Sequence, residues 1–498
     1  MLKKDQIIQG QIAYLDDSSN GVIMAGKDKV FVRNVLAKES VKVKVIKRLQ
    51  EGYSAKLLEV VKADPQRVKP QCGIYDKCGS CQLMHVSHEE QKALKLQGLS
   101  KLCAKSKNLQ LKATTVYDMK DPYHYRNKMI VGFSKNKQGQ LQAGFYEEFS
   151  HNIIAYDTCL LHPEICDEII HTICDLMKKL RIEPYEEDKR KGLLRHVILR
   201  YGMVSKQIMV VLVLNQQVFP MRKAFVSELT KQHPEITTIV QNVNTRQTSV
   251  VLGDQERVLY GPGFIEDTLC GLKFKISAKS FYQINHEQCE TLYQKAISLL
   301  NLQGNEVILD AYCGIGTIGM YASKFAKQVI GVELNKDAVE DAKENAQLNK
   351  IKNIRFICDD ATKFIRKMAM KKEHLDVVIL DPPRAGSTKE FIESVAHLHP
   401  KKVLYISCNP QTQMRDLEVF KQYGYTSNEV FGVDMFPNTF HTESVTMLTQ
   451  SKQAYKPRND HSKSNNYQNK KNPHNQRRED YKPSRNNNHN KRNNKGRR

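Results

Sequence analysis

The chain has 498 residues, of which 40% are hydrophobic, and a formal net charge of +23 at pH 7. This length allows roughly three domains of about 100–200 residues, with a core large enough to need no disulfide bonds. No run of about 18 apolar residues occurs and the first residues form no apolar signal core, so we expect no membrane span and a cytoplasmic protein.

Residues 1–61 alternate apolar and polar residues in short runs that are separated by turns. Five of these runs predict strands, at 7–13, 21–24, 29–32, 41–46 and 53–60. Five short strands without a helix between them are typical of a small OB-like β-barrel. Barrels of this type often bind nucleic acid, and a purely structural appendage is the alternative.

A linker that starts at 63–65 leads into a cluster of cysteines. Cys72, Cys78 and Cys81 form a C-x5-C-x2-C pattern, and Cys159 is the candidate for a fourth ligand. Four thiolates can hold zinc or an iron–sulfur cluster, and the spacing alone does not choose between them. Three cysteines that simply pack together are the alternative.

The chain has 12 cysteines and no secretion signal, which argues against disulfide bonds. Six of the others are expected to be small buried apolar residues: Cys103, Cys166, Cys174, Cys270, Cys289 and Cys358.

The region 62–265 is predicted to be a central α+β domain that contains the cysteine cluster. A helical pattern covers 87–107. Strand patterns follow at 197–200, 208–214 and 249–252. Residues 125–128 indicate either a contact to an RNA backbone or a solvated run of charge.

The region 266–450 alternates strands and helices from about Phe274 onward. The strand patterns lie at 306–310, 329–334, 354–359, 375–381 and 402–407. A helical pattern at 336–348 is one of those that separate them, and the strand ends recur at about the length of a βα unit. We therefore predict a doubly wound, Rossmann-like α/β domain.

A glycine-rich turn follows the first of these strands. Residues 314–319 fit G-x-G-x-x-G, and glycine lets a backbone approach a ligand closely. Glu333, near the end of the next strand pattern, can accept hydrogen bonds from ribose hydroxyls. The turn suits a nucleotide-like cofactor, including a dinucleotide, and a turn that only packs helix on strand is the alternative.

Candidate functional residues also follow two further strands. Asp381 precedes two prolines and Arg384. The prolines fix the backbone, so this segment is interpreted as a rigid corner that presents the acidic side chain of Asp381, and a plain proline turn is the alternative. Cys408 follows the strand 402–407 and is a candidate nucleophile. Because ligands bind beyond the carboxyl ends of strands in open α/β sheets, the fold would gather these residues and the glycine turn in one crevice.

The C-terminal segment, 451–498, differs in composition from the rest of the chain. It contains 15 Lys and Arg against three Asp and Glu, a net +12, and almost no aliphatic residues. Such a segment cannot bury enough apolar area to fold, so we predict a disordered, basic tail that tethers RNA.

Several segments, in order along the chain, resemble the S-adenosylmethionine-dependent RNA uridine-5-methyltransferases. They are 276–285, 310–316, 331–333, 381–384, 407–410 and 440–445. Residues 1 to about 60 resemble the small RNA-binding TRAM barrel that many members carry. The resemblance extends to about residue 450 and does not include the tail.

The resemblance implies roles for individual residues. Cys408 is the thiolate that adds to carbon 6 of uracil, and Glu443 accepts the proton of carbon 5. The positions that match donor-binding residues are Gln283, Tyr312, Gly314, Glu333 and Asp381. Members with this cysteine pattern carry a [4Fe–4S] cluster, which assigns Cys72, Cys78, Cys81 and Cys159 to such a cluster with a structural role.

Members with both the barrel and the cysteine cluster act mostly on ribosomal RNA. The expected function is therefore methylation of carbon 5 of a uridine in 23S ribosomal RNA, with the target base flipped out, and transfer RNA is the alternative substrate. A catalytically inactive RNA-binding assembly factor is a second hypothesis, which the intact Cys408 and Glu443 disfavour. A nicotinamide-dependent dehydrogenase ranks last, and no obligate protein partner is inferred.

Overall fold

The computed structural model describes residues 2–451 apart from 17, 148, 149 and 249. The predicted disordered tail lies outside the described residues, apart from Ser451. Within the described part of the chain, none of the helices combines the length and the apolar character needed to cross a bilayer.

The N-terminal strands close into a barrel in the order β1-β2-β3-β5-β4. They are β1 (Ile7–Leu15), β2 (Gly21–Ala25), β3 (Asp28–Val32), β4 (Ser40–Leu49) and β5 (Gly52–Lys62). Strand β4 shows how the sequence builds the barrel, because Val41, Val43 and Val45 are buried while Lys42 between them is exposed. The predicted five-stranded barrel is confirmed.

The cysteine-rich segment after the barrel is mostly irregular. It is followed by a long helix and a strand, so the elements of this stretch are α1 (Tyr75–Cys78), α2 (His88–Lys105) and β6 (Lys112–Tyr117). The hydroxyl oxygen of Ser87 accepts a hydrogen bond from the backbone N–H of Glu90 at 3.3 Å and caps α2. The predicted helix 87–107 is thus confirmed.

A seven-stranded sheet forms the centre of the region 62–265, in the order β13-β12-β11-β10-β7-β8-β9. Its elements are β7 (Lys128–Lys135), β8 (Leu141–Tyr146), β9 (Ile153–Ala155), α3 (Glu164–Lys179), β10 (Leu194–Tyr201), β11 (Ile208–Leu214), α4 (Arg222–Gln232), β12 (Ile236–Val243) and β13 (Gln255–Tyr260). The two strands predicted at 197–200 and 208–214 are confirmed as β10 and β11.

The strand predicted at 249–252 is wrong for the described residues 250–252, which are irregular. The amide nitrogen Nδ2 of Asn244 donates hydrogen bonds to the carbonyl oxygens of Val250 and Val251, at 2.8 and 2.9 Å. Those carbonyls are therefore bonded to a side chain instead of a neighbouring strand, and the edge strand forms only at β13.

A hairpin and a helix lead into the third part of the fold. They are β14 (Phe264–Leu269), β15 (Leu272–Ser277) and α5 (His286–Leu300). Strands and helices then alternate: β16 (Val307–Ala311), α6 (Thr317–Ser323), β17 (Gln328–Glu333), α7 (Lys336–Leu348), β18 (Ile354–Cys358), α8 (Ala361–Lys371), β19 (Val377–Leu380), α9 (Lys389–Leu398), β20 (Lys402–Ser407), α10 (Pro410–Gln422), β21 (Tyr425–Thr426), β22 (Glu429–Val433) and β23 (Glu443–Gln450).

These strands form a nine-stranded sheet, which we call the catalytic sheet. The order is β18-β17-β16-β19-β20-β23-β22-β6, with β21 paired to β23. Strands β16 to β20 pair in parallel with one another, whereas β23 is antiparallel to β20 and to β22. Helices α5 to α7 cover one face with apolar residues and α8 to α10 cover the other. The predicted doubly wound α/β fold is confirmed.

One strand of the catalytic sheet comes from far upstream in the chain. Strand β6 lies inside the range 62–265 but pairs in parallel with β22 at the sheet edge. The domain boundaries at 61, 265 and 450 stay predictions. The pairing of β6 with β22 shows that the sheets of the structure do not follow these boundaries strictly.

Candidate active site

Cys408 and Glu443 stand opposite each other at the end of two paired strands. Strand β20 ends at Ser407, β23 begins at Glu443, and Ser407 pairs with Ser444 in antiparallel register. The hydroxyl of Ser444 also donates a hydrogen bond to the carbonyl oxygen of Ser407, at 3.3 Å. The continuation of this register therefore brings the thiol and the carboxyl group to the same point of the sheet edge.

The loop after β19 is tied to the loop that carries Cys408. Asn409 caps α10 by accepting a hydrogen bond from the backbone N–H of Gln411 at 3.2 Å. Its amide nitrogen Nδ2 donates to the carbonyl oxygen of Arg384 at 3.0 Å, and the hydroxyl of Thr412 donates to the same oxygen at 3.3 Å. The rigid corner 381–384 is in this way held beside Cys408.

Partial burial and the neighbouring charges control the ionisation of Cys408. Burial, with the charges of Glu443 and Asp381, raises the pKa of its thiol to about 11, and the guanidinium of Arg384 partly opposes this shift. The thiol form is therefore dominant at neutral pH. A neutralised carboxylate or a closer contact with Arg384 would favour the reactive thiolate.

Glu443 is a buried carboxyl group, 5% exposed. Burial raises its pKa well above the usual range, the charge of Asp381 raises it again, and Arg384 lowers it. Burial also raises the pKa of Asp381. A carboxylate with a raised pKa is a stronger proton acceptor near neutral pH, which suits a general base.

The glycine-rich turn connects β16 to α6 with several residues in the left-handed region. Tyr312, Gly314 and Gly316 have φ values of 65°, 53° and 82°. A Cβ built at Gly314 would meet no atom of the described residues within 4 Å, whereas one at Gly316 would collide with the ring of Phe356. The turn therefore offers open space above Gly314, where a ligand can contact the backbone.

Glu333 is locked in place beside this turn. Its Oε2 accepts a hydrogen bond from the backbone N–H of Gly314 at 3.1 Å, and its Oε1 accepts one from the N–H of Asn335 at 2.8 Å. Each oxygen keeps a second lone pair for a ligand hydroxyl. This geometry suits the ribose of a nucleoside cofactor.

The four strand ends that the sequence singled out follow one another across the sheet. Glu333 ends β17, the Gly314 turn follows β16, Asp381 follows β19 and Cys408 follows β20, and these strands are consecutive neighbours. The cofactor turn therefore lies two strands from the candidate nucleophile at the same sheet edge.

Gln283 lies outside the sheet, on the loop between β15 and α5. The amide nitrogen of Asn127 donates to its carbonyl oxygen at 2.8 Å. The buried guanidinium of Arg200 donates to the carbonyl oxygens of Ala278 and Ser280, the first at 3.0 Å. These bonds from the central region fix the backbone of the loop that carries Gln283.

Two polar residues of the site were not assigned a role from the sequence. Asp310, at the end of β16, is 1% exposed, and burial raises the pKa of its carboxyl group to about 8. The second residue, Arg384, has a guanidinium nitrogen that lies 3.5 Å from Nδ1 of His441. The sequence signal for Asp310 and Arg384 was their position at a strand end. That signal is equally present for any polar residue at such a position.

The four predicted metal ligands line one cavity. Cys72, Cys78, Cys81 and Cys159 surround a volume of about 360 Å³. Burial raises the pKa of the Cys81 and Cys159 thiols to about 12, and the charge of Arg126 lowers both. Among the described residues, no three His, Cys, Asp or Glu side chains are placed to hold a single metal ion.

Arg126 and Lys128 line the same cavity and are not a solvated run of charge. Burial, together with the charge of Arg200, lowers the pKa of Lys128 to about 8. Of the six cysteines expected to be buried, Cys358 is exposed at the end of β18, and Cys270 is partly exposed in the turn between β14 and β15. The other four are buried.

The chain is similar to known RNA methyltransferases. Residues 89–451 match the family model described as tRNA (Uracil-5-)-methyltransferase. An uncharacterized RNA methyltransferase from Halalkalibacterium halodurans is 39% identical over 451 residues, which cover 90% of this chain and 98% of the relative. One from Listeria innocua is 39% identical over 452 residues, which cover 90% and 99%.

A solved structure is similar over most of the chain. It is the tRNA (uracil-54, C5)-methyltransferase of Pyrococcus abyssi in complex with S-adenosyl-L-homocysteine. The TM-score is 0.73 at 26% identity, and the match covers 89% of this chain and 100% of that one.

Proposed function

We propose a covalent mechanism for this chain, which belongs to the family of S-adenosylmethionine-dependent RNA uracil-5-methyltransferases. The acceptor is carbon 5 of a uridine in RNA, the nucleophile is Cys408 and the proton acceptor is Glu443. The observation that supports these two roles is the pairing of β20 with β23, which sets the thiol opposite a buried carboxyl group.

The first step activates a carbon that is otherwise a poor nucleophile. Cys408 loses its proton to solvent and its sulfur forms a bond with carbon 6 of uracil, so the electron pair of the 5,6 double bond moves into an enolate. Arg384 assists, since its charge lowers the pKa of the thiol. S-adenosylmethionine, when bound at the Gly314 turn beside Glu333, would supply the methyl group that carbon 5 takes and would leave as S-adenosylhomocysteine.

The second step restores the aromatic base. The carboxylate of Glu443 takes the proton from carbon 5, the electron pair re-forms the 5,6 double bond, and the bond from carbon 6 to the sulfur of Cys408 breaks. Burial raises the pKa of Glu443, so it can hold this proton near neutral pH.

The preferred substrate is 23S ribosomal RNA. The closed N-terminal barrel and the four-cysteine cavity support this choice, because the combination of both features is typical of ribosomal-RNA enzymes in the family. Transfer RNA is the alternative, and the substrate in the name of the Pyrococcus abyssi enzyme favours it. Base-resolved mapping of 5-methyluridine in RNA from cells with and without the protein decides between the two.

The resemblance to the family favours a [4Fe–4S] cluster over a zinc ion as the group that Cys72, Cys78, Cys81 and Cys159 would hold. All four thiols line the same cavity. Four thiols around an open volume suit a larger group that takes four cysteines. Arg126 would offset part of the negative charge of the thiolates, and the role of the cluster would be to fix this part of the fold.

The catalytic assignment is tested with the Cys408→Ala variant. Labelled S-adenosylmethionine and unmodified RNA are incubated with the protein, and the product is mapped by mass spectrometry. The wild type should place label in 5-methyluridine, whereas Cys408→Ala should lose activity by about 10³-fold or more while its affinity for S-adenosylmethionine is unchanged.

A buried cysteine outside the site provides the control for this variant. Cys174→Ala, in α3, should keep wild-type activity. Full activity of Cys408→Ala would remove the cysteine from its proposed role.

The metal assignment is tested on protein purified without oxygen. We expect a brown protein that contains iron and acid-labile sulfide, and Cys81→Ser should lose both. A colourless, zinc-loaded wild type would contradict the assignment of an iron–sulfur cluster.

A further inference from the structure

The loop between β22 and β23, residues 434–442, leads directly into Glu443. Its backbone is held by side chains from three distant elements. Lys95 Nζ donates a hydrogen bond to the carbonyl oxygen of Phe436 at 3.2 Å, the hydroxyl of Tyr125 donates to that of Pro437 at 3.1 Å, and Asn285 Nδ2 donates to that of Met435 at 3.3 Å. The position of Glu443 therefore depends on contacts outside the catalytic sheet.

Asn438, in the middle of this loop, is 2% exposed and has a φ of 65°. Its backbone N–H donates to Oε1 of Gln91 at 3.0 Å, and its Oδ1 accepts from Nε2 of Gln91 at 3.2 Å. Its Nδ2 donates to the carbonyl oxygen of Pro122 at 3.2 Å. A buried residue with a left-handed backbone, whose side-chain oxygen and nitrogen are both hydrogen-bonded, holds the loop in one conformation.

The carbonyl oxygen of Asn438 connects the loop to the cysteines. It accepts hydrogen bonds from the backbone N–H groups of Gln82 at 2.9 Å and Leu83 at 3.0 Å, the two residues that follow Cys81. Gln91 also donates to the carbonyl oxygen of Leu83 at 3.1 Å. Residues 81–83 and the loop 434–442 thus form one hydrogen-bonded unit.

Apolar contacts extend this unit toward the active site. Phe440, two residues after Asn438, packs against the buried cluster of Leu36, Leu83 and Val86. A shift of residues 81–83 would therefore move Phe440 as well as Asn438, and both precede Glu443 by only a few residues.

We propose that Asn438 is a positioning residue that couples the cysteine segment, residues 72–83, to Glu443, so that the group held by the cysteines keeps the proton acceptor in place. The inference rests on the proposed function, because it assigns Asn438 an effect on the step in which Glu443 removes the proton of carbon 5. Loss of the coupling slows release of the methylated base but leaves the attack of Cys408 intact. The covalent protein–RNA adduct then accumulates.

The test uses Asn438→Gly, because glycine adopts the left-handed backbone without strain and retains both carbonyl hydrogen bonds. We expect kcat to fall about 10–100-fold, as for a misplaced catalytic group, with an unchanged KM for S-adenosylmethionine. The adduct, seen as a shifted band on a denaturing gel, should accumulate, and we expect the same of Glu443→Gln, which lacks the proton acceptor. Asn301→Gly, which replaces an exposed left-handed asparagine at the end of α5, should behave as the wild type.

A double variant separates positioning from a general loss of structure. Because Asn438 acts through Glu443, adding Asn438→Gly to Glu443→Gln should not slow adduct release further. Additive effects, or equal losses in adduct formation and release in Asn438→Gly, would overturn the proposal. A Glu443→Gln variant that forms no adduct at all would instead refute the covalent mechanism.

A second measurement does not depend on activity. Hydrogen exchange of the peptide 434–442 should speed up in Cys81→Ser relative to the wild type, while exchange in α7 stays unchanged. Unchanged exchange in 434–442 would show that the cysteine segment does not hold the loop.

Discussion

At the scale of single residues, the charges around Cys408 decide when the enzyme is reactive. Burial and the carboxylates of Glu443 and Asp381 raise the pKa of the thiol and hold it protonated, and Arg384 opposes them. The same guanidinium lowers the pKa of Glu443. Arg384 therefore favours the ionised form of both catalytic groups, and both must be ionised before each can act.

The prediction for Arg384 concerns the pH dependence of methyl transfer. The rate should rise with pH as the thiol and the carboxyl group lose their protons. In Arg384→Gln both pKa values increase, so the rise should move to higher pH by about one unit, with the largest loss of rate at neutral pH. Single-turnover rates measured across the pH range provide the test.

Arg384→Lys is the matched control, since it keeps the charge and should keep a profile close to the wild type. Because Arg384 is exposed, added salt should bring the profiles of the wild type and Arg384→Gln together. Identical profiles at low salt would contradict the role of the guanidinium.

At the scale of elements, a buried ion pair fastens α2 to the end of β22. Lys95 and Asp434 are paired, and each side chain is 1% exposed. Burial lowers the pKa of Lys95 and raises that of Asp434. Each charge is tolerated in the interior only because the other is present.

Removal of one partner should therefore destabilise the protein strongly. Lys95→Met leaves the carboxylate of Asp434 buried without a counterion, and the free energy of unfolding should fall by about 3–5 kcal/mol. The loss should increase as pH rises, because the protonated carboxyl group costs less to bury than the charged one. Urea unfolding at several pH values measures both effects.

The double variant Lys95→Met/Asp434→Leu removes both charges and should recover most of the lost stability. If the single and double variants are equally unstable, lost packing rather than an unpaired charge is responsible.

Local signals account for the elements that the sequence predicted well. Helix α7 has the predicted bounds because Asn335 caps its start, with Oδ1 accepting from the N–H groups of Asp337 and Ala338. The five parallel strands are short apolar runs. Strand β6 was not predicted, since its partner β22 lies near the other end of the described chain. Asn244 is a similar case. Its side chain bonds residues later in the chain only once the chain has folded, so the strand pattern at 250–252 does not reveal this contact.

In the candidate site, too, some features could be predicted from the sequence and others could not. The rule that ligands bind at the carboxyl ends of strands predicted the common edge of Glu333, Gly314, Asp381 and Cys408. The contacts of Asn438 with residues 81–83 and Gln91 could not be predicted, because they join segments that are far apart in the sequence and leave no periodic pattern.

At the scale of the whole molecule, charge is unevenly distributed along the chain. Residues 451–498 carry a net +12 of the total +23. The barrel adds lysines on the outer side of β4, such as Lys42 and Lys44. Basic side chains of this kind attract the phosphates of RNA without regard to sequence.

Deletion of 451–498 should therefore weaken RNA binding mainly at low salt. Fewer phosphate contacts reduce the slope of affinity against salt concentration, and the affinities of the two proteins should converge as salt increases. Binding titrations at several salt concentrations provide the test. A tail of equal length with its Lys and Arg replaced by Gln should behave as the deletion, and a salt-independent difference would contradict an electrostatic role.

The parallel pairing of β6 with β22 also has a consequence for synthesis of the protein. A ribosome adds about 5–20 residues per second. Roughly 15–60 s therefore pass between the synthesis of Lys112–Tyr117 and that of its partner strand, Glu429–Val433. During that interval its backbone N–H and C=O groups lack their final neighbour and are open to pairing with other nascent chains. An early segment of the chain therefore stays without its partner strand until Glu429–Val433 has been translated.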